Sequence, residues 1–116
     1  MTHIINLTSH PVTIYSSDGH LLNRFPPTPR PARIHETHTP TTPITHHGIP
    51  LPRTHVTYRP TAANLPEPRT DTILLVSRVL AASYPHRNDL VFPLDEGRDH
   101  DGNIIGCRAL GTFADT

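Results

Sequence analysis

Thr72-Ile73-Leu74-Leu75-Val76-Ser77-Arg78-Val79-Leu80-Ala81-Ala82-Ser83 is the stretch on which the fold turns. Five apolar or β-branched residues in a row read as a buried strand. Ser77 follows with a hydroxyl able to cap a helix, and Arg78 to Ser83 makes about two helical turns that must stop before Pro85. A helix at about 77–84 is therefore expected, placed directly after a strand.

Reading outward toward the C-terminus, Asp89-Leu90-Val91-Phe92 is a second short strand and Gly102 to Leu110 a third. Asp99-His100-Asp101-Gly102-Asn103 supplies the turn before the third. It resembles a calcium loop for five residues and then fails, because Leu110 stands where a bidentate glutamate is required. Toward the N-terminus, Ile4 to Thr8 is extended, and Pro11 to Tyr15 with His20 to Phe25 forms a hairpin around Ser16-Ser17-Asp18-Gly19. Asn6-Leu7-Thr8 fits a glycosylation sequon, but no secretory leader is visible and the match reads as strand.

Residues 26–68 have a different texture. They hold eleven of the fourteen prolines and five of the ten histidines. Proline removes ladder donors and fixes φ, so this segment is a loop-rich arm or a set of edge strands. Ala32 to Thr37 and Ile49 to Tyr58 still look extended. In the second, Ile49, Leu51, Arg53, His55 and Thr57 share one face and Thr54, Val56 and Tyr58 the other. An ordered, extended excursion with a mobile tip at 39–47 is expected, full disorder being the competing reading.

The fold expectation is a small α+β domain, residues 1–116: a mostly antiparallel sheet, one short helix and the Pro-rich excursion. With 34% hydrophobic residues and no tryptophan the core is lean, which together with edge strands points to self-association.

Composition excludes several functions. The longest apolar run is far too short to span a membrane. Ten acids balance ten bases, so no basic field of the kind that nucleic-acid binders use is present. Cys107 is alone, so an internal disulfide and a thiolate zinc cluster are both ruled out. A cytoplasmic protein without cofactor, nucleic-acid polymer or membrane as partner is expected. All ten bases are arginine, which codon bias in a GC-rich genome explains, or which reflects guanidiniums gripping phosphate or carboxylate.

For chemistry, the histidines come first. His46 and His47 are adjacent and diverge, and His35 and His38 fall on opposite faces of an extended chain, so a metal site is not expected. No Gly-x-Ser-x-Gly elbow and no Gly-rich phosphate loop is present, Cys107 lies in an apolar run, and no catalytic residue is assigned. The remaining cluster of interest is Ser77, Arg78, Arg87, Asp89, Arg98, Asp99 and Arg108. Arg87, Arg98 and Arg108, if the chain path brings them together, line an anion pocket with Asp89 or Asp99 orienting the guanidiniums.

Several segments also resemble a family of short bacterial and phage proteins that carries no settled function. These are Ile5-Asn6-Leu7-Thr8-Ser9-His10-Pro11-Val12, Gly48-Ile49-Pro50-Leu51, Leu65-Pro66-Glu67-Pro68, Val76 to Ala81, Arg87 to Val91, and Arg98-Asp99-His100-Asp101-Gly102-Asn103-Ile104-Ile105-Gly106-Cys107-Arg108-Ala109-Leu110. The resemblance implies that the chain is complete and that it acts by binding, as do phage sponges that sequester nucleotide signals. The leading functional expectation is a non-enzymatic protein binding a small anionic ligand, a nucleotide or cyclic nucleotide signal. The alternatives are an interaction or assembly module using the Pro-rich arm, and a histidine-based metal-dependent enzyme.

Overall fold

The computed structural model describes residues 1–98, 101 and 104–115. Eight strands and one helix follow in chain order: β1 His3–Asn6, β2 Val12–Tyr15, β3 Leu21–Phe25, β4 Glu36–His46, β5 Ile49–Tyr58, β6 Thr72–Leu75, α1 Arg78–Ser83, β7 Leu90–Arg98 and β8 Ile104–Gly111. Six strands form one sheet in the order β1-β6-β7-β8-β2-β3, and β4 and β5 form a second sheet of their own.

The α+β expectation is overturned. Helix is confined to the six residues of α1, and the Pro-rich segment contributes two long strands, so the protein is nearly all sheet. The main sheet is also mixed rather than mostly antiparallel. β1 with β6, β6 with β7, and β2 with β8 run parallel, while β2 with β3 and β7 with β8 run antiparallel. The physical reason is the β6-α1-β7 crossover, whose helix returns the chain to start the next strand in the same direction.

The 72–83 stretch behaves as its pattern requires. Ser77 accepts a hydrogen bond on its hydroxyl from the Leu80 amide at 3.2 Å, and the helix stops at Tyr84. Period-two alternation sorts β6 and β7 into two faces. Leu74, Val76, Leu90 and Phe92 pack on one side with Leu80 and Ala81 of the helix, along with Leu7 and Ala32. Leu75 lies on the other side with Val12 and Cys107, and Ile4, Ile14, Phe25, Val91 and Leu110 close around them. β7 runs past the expected Phe92 and through Pro93 to Arg98.

The sheet curls. In a flat sheet β1 and β2 would stand four spacings apart, about 19 Å at ~4.8 Å each. The chain from Asn6 to Val12 could just cover that if fully extended, yet it is bent and carries buried Leu7 and Thr8. Curling brings the two edge strands near each other at one end. The Asn6 carboxamide, at the end of β1, donates to the carbonyls of Phe25 in β3 and of His10, at 3.2 and 3.0 Å. Its oxygen accepts from the Thr8 amide at 2.9 Å and lies 2.6 Å from the Thr8 hydroxyl. Asn6 is thus buried with both donors and its acceptor engaged, so this sequon asparagine is a structural tie.

β4 and β5 project from this body as a two-stranded arm. His47 and Gly48 close it, both at positive φ (48° and 80°), the pattern of the two-residue turn that matches strand twist. Pairing runs from His46↔Ile49 down to Glu36↔Tyr58, with one irregularity between Thr41 and Ile44. Pro50 falls on the rung next to the turn pair, where no inter-strand donor is needed, so proline costs the ladder nothing there. With no third strand, both members are edges, as the proline content demands. The radius of gyration is 17.5 Å, against about 13 Å for a compact domain of this length. No helix among the described residues is long and apolar enough to cross a membrane.

Candidate functional site

The backbone places the three arginines expected to line an anion pocket at separate points along the sheet. Arg87 precedes β7 and Arg98 ends it, and a nine-residue strand separates them by about 26 Å at ~3.3 Å per residue. Arg108 is exposed in β8, beside Cys107↔Glu96 in the register and four residues along from Ile104, the partner of Arg98. Asp99 lies outside the described residues, as does most of the turn expected over 99–103.

Arg87 and Asp89 do come together, with each other. The guanidinium donates from Nε to Asp89 Oδ1 at 2.9 Å and from Nη2 to Oδ2 at 2.6 Å. Nη2 also donates to the Pro66 carbonyl at 3.0 Å. Asp89 is buried, and the hydrogen bond it accepts holds the Arg87 pKa above the ordinary arginine range. The Tyr84 hydroxyl accepts from the Ala62 amide at 2.9 Å. Together Tyr84 and Arg87 anchor the chain returning from the arm, residues 62–66, onto the helix end. The polar run after the helix is therefore a clamp within the fold.

Ser77 is occupied as the helix cap. Arg78 stacks its guanidinium 5.3 Å from the Phe92 ring centroid and 6.0 Å from that of Phe113, whose rings stack on each other at 4.9 Å. That arrangement fastens the C-terminal segment to β7.

Cys107 is a buried packing group on β8. Burial pushes its thiol above the ordinary value of 9.0. Among the described residues no three histidine, cysteine or carboxylate side chains gather as metal ligands. His46 and His47 do not diverge: their rings meet edge to face at 4.2 Å, because the left-handed backbone of His47 folds the turn back.

Two features outside that cluster have the makings of a site. The first is the arm. Every residue of β4 and β5 is exposed, including Ile44 at 51%, Ile49 at 61% and Leu51 at 45%. The pairing Ile44↔Leu51, with Ile49 two residues before Leu51, puts these three on one face at the tip. Val56 and Tyr58 lie on the opposite face nearer the base. Arg53 Nε braces the two strands by donating to the Thr42 carbonyl at 3.0 Å. The signal for the arm is legible: a residue-Gly pair, His47-Gly48, flanked by alternating residues is a hairpin turn.

The second is the neck, where the arm meets the body. Arg59 donates its amide to the His35 carbonyl at 2.9 Å, and Arg33 and Ala63 exchange backbone hydrogen bonds at 3.1 and 2.8 Å. Here an open concavity of about 710 Å³ is lined by Arg33, His35, Glu36, Arg59 and Thr61 among others.

No family model, no curated protein and no solved structure matches the chain.

Proposed function

We propose that this protein is an assembly module whose β4–β5 arm docks on a second copy of the chain. The carrying observation is the arm itself: a two-stranded ladder exposed on both faces, with an apolar trio at its tip. An isolated two-stranded hairpin is at best marginally stable in water, so a ribbon of this length calls for cover.

Size and charge favour a second copy. The eleven residues of β4 give a ribbon about 35 Å long and roughly 10 Å wide, so its two faces offer on the order of 700 Å². A standard interface takes about 800 Å² per partner. The chain carries a formal net charge of zero at pH 7, so copies do not repel one another as strongly charged chains would. β4 and β5 each leave an outer edge unpaired, which is a template for strand addition.

The test is the mass in solution by sedimentation equilibrium. The full chain is expected to be a dimer or a higher closed oligomer. Ile44→Asp and Leu51→Asp, which place charges in the trio, are expected to release monomers whose circular dichroism retains the sheet signal. A monomeric full chain at high micromolar concentration would reject the reading.

A further inference from the structure

Two arginines, Arg33 and Arg59, and His35 are exposed at the neck and line its concavity. The Arg59 amide bonds to the His35 carbonyl, and Arg33 and His35 are exposed in alternation with buried Ala32 and half-buried Ile34, so all three line the neck concavity. Glu36 is the sole acidic residue between Arg33 and Arg59. It lines the same concavity, and its carboxylate is engaged by His38 Nε2 at 2.7 Å. Among the described residues neither guanidinium has an ion-pair or hydrogen-bond partner.

This differs from Arg87, whose fork is filled by Asp89, and from Arg78, which is stacked on two rings. At the neck Arg33, His35 and Arg59 line one open concavity and are exposed.

From this we propose that the neck concavity is a binding site for a compact phosphate-bearing anion. Two guanidinium forks arriving from the two chain segments that flank the arm present donors in different planes. A phosphoryl group has three or more acceptor oxygens arranged tetrahedrally and accepts from both forks at once, whereas a carboxylate offers two oxygens in one plane and is filled by one fork. The Thr61 hydroxyl on the same wall adds a neutral donor. The site lies within one chain and is independent of the tip trio that the assembly reading uses.

Isothermal titration of pyrophosphate, ADP and succinate into the full chain at low ionic strength tests this. Pyrophosphate is expected to bind at one site per chain. Arg33→Ala and Arg59→Ala should each weaken it about tenfold or more, while Arg108→Ala leaves it unchanged. Arg33→Lys and Arg59→Lys, which keep the charge and the fold but remove the fork, should also weaken it. ADP binding with the same arginine dependence supports the site and assigns a nucleotide source; pyrophosphate binding alone supports it and assigns a free phosphate source. Ile44→Asp should disrupt assembly and leave the titration intact, so the two proposals fail separately. Absence of pyrophosphate binding at millimolar concentration, binding indifferent to Arg33 and Arg59, or succinate binding as tightly through the same arginines would each overturn the proposal.

Discussion

Arg87 grips Asp89 through two parallel hydrogen bonds of 2.9 and 2.6 Å, and the same guanidinium reaches the Pro66 carbonyl. One side chain thus ties the start of β7 to the chain returning from the arm. Removing one member of a buried pair leaves the other charge without compensation, which costs about 3–5 kcal/mol when burial is complete. The Arg87 side chain keeps 19% of its surface exposed, so Arg87→Ala is expected to cost about 2–3 kcal/mol in urea unfolding. Arg108→Ala, on the open face of β8, should stay within about 0.5 kcal/mol. Equal effects of the two would show that the fork carries no stability. Because the Arg87 pKa is raised, its contribution is complete below the ordinary arginine range and is lost only above it. The difference between wild type and Arg87→Ala should therefore not change between pH 7 and pH 10.

Asn6→Asp replaces the amide that faces two carbonyls with a group that only accepts. The Phe25 and His10 carbonyls lose their donor and confront a carboxylate in a buried place. A loss of about 2–4 kcal/mol is expected at neutral pH, partly recovered in acid as the carboxyl protonates. An unchanged melting temperature would mean that the edges of the curled sheet are held together without Asn6.

Cys107 should be inert in the native state. Its thiol is buried and its pKa lies above 9.0, so a disulfide-exchange reagent at pH 8 is expected to react slowly and then quickly in denaturant. The unfolded thiol ionises first as pH rises, so this residue's stabilising contribution is complete below about pH 9 and declines above it. Cys107→Ser should flatten that decline. Rapid native labelling would contradict the burial.

Gly106 sits where β8 meets β2. A methyl group there would stand 2.6 Å from the Thr13 carbonyl oxygen and 2.8 Å from the Tyr15 ring, too close for either to remain in place. Gly106→Ala is expected to cost about 1–3 kcal/mol, read as a lowered denaturation midpoint. Gly48→Ala, strained at φ 80° with open space around it, should weaken the arm and leave the body's unfolding midpoint nearly unchanged.

Residues 39–47, the arm's outer half, should exchange their amide hydrogens fastest of any internal strand in Ile44→Asp. They should be protected in the wild-type chain at high concentration, where the arm is covered. Equal exchange in the two would separate the arm from assembly.

Much of the body was legible in the residues. The apolar run of β6, the Ser77 cap and Pro85 define a strand-to-helix step through local chemistry, and the Asp18-Gly19 turn defines the β2–β3 hairpin in the same way. The two faces of Ile49 to Tyr58 followed from period two. Local rules did not reach the arm's full extent, because proline is judged by its missing donor, and only the pairing partner decides whether that donor was needed. They did not reach the strand order either, since nothing near His3–Asn6 in sequence says that β1 will lie parallel to β6.

The site divides along the same line. Arg87 and Asp89 are two residues apart, and their presence in a polar run after a helix marks them as a cluster from sequence alone. That the cluster faces inward as a clamp depends on burial, which the chain path of residues 62–66 supplies. Arg33 and Arg59 stand apart by the whole length of the arm and share no motif. Sequence determined that the segment between them is extended, rich in proline and poor in acid. Only the hairpin, by returning the chain antiparallel to its start, brought Arg33 and Arg59 to one concavity at the neck, because cross-strand neighbours are made by register and not by proximity along the chain.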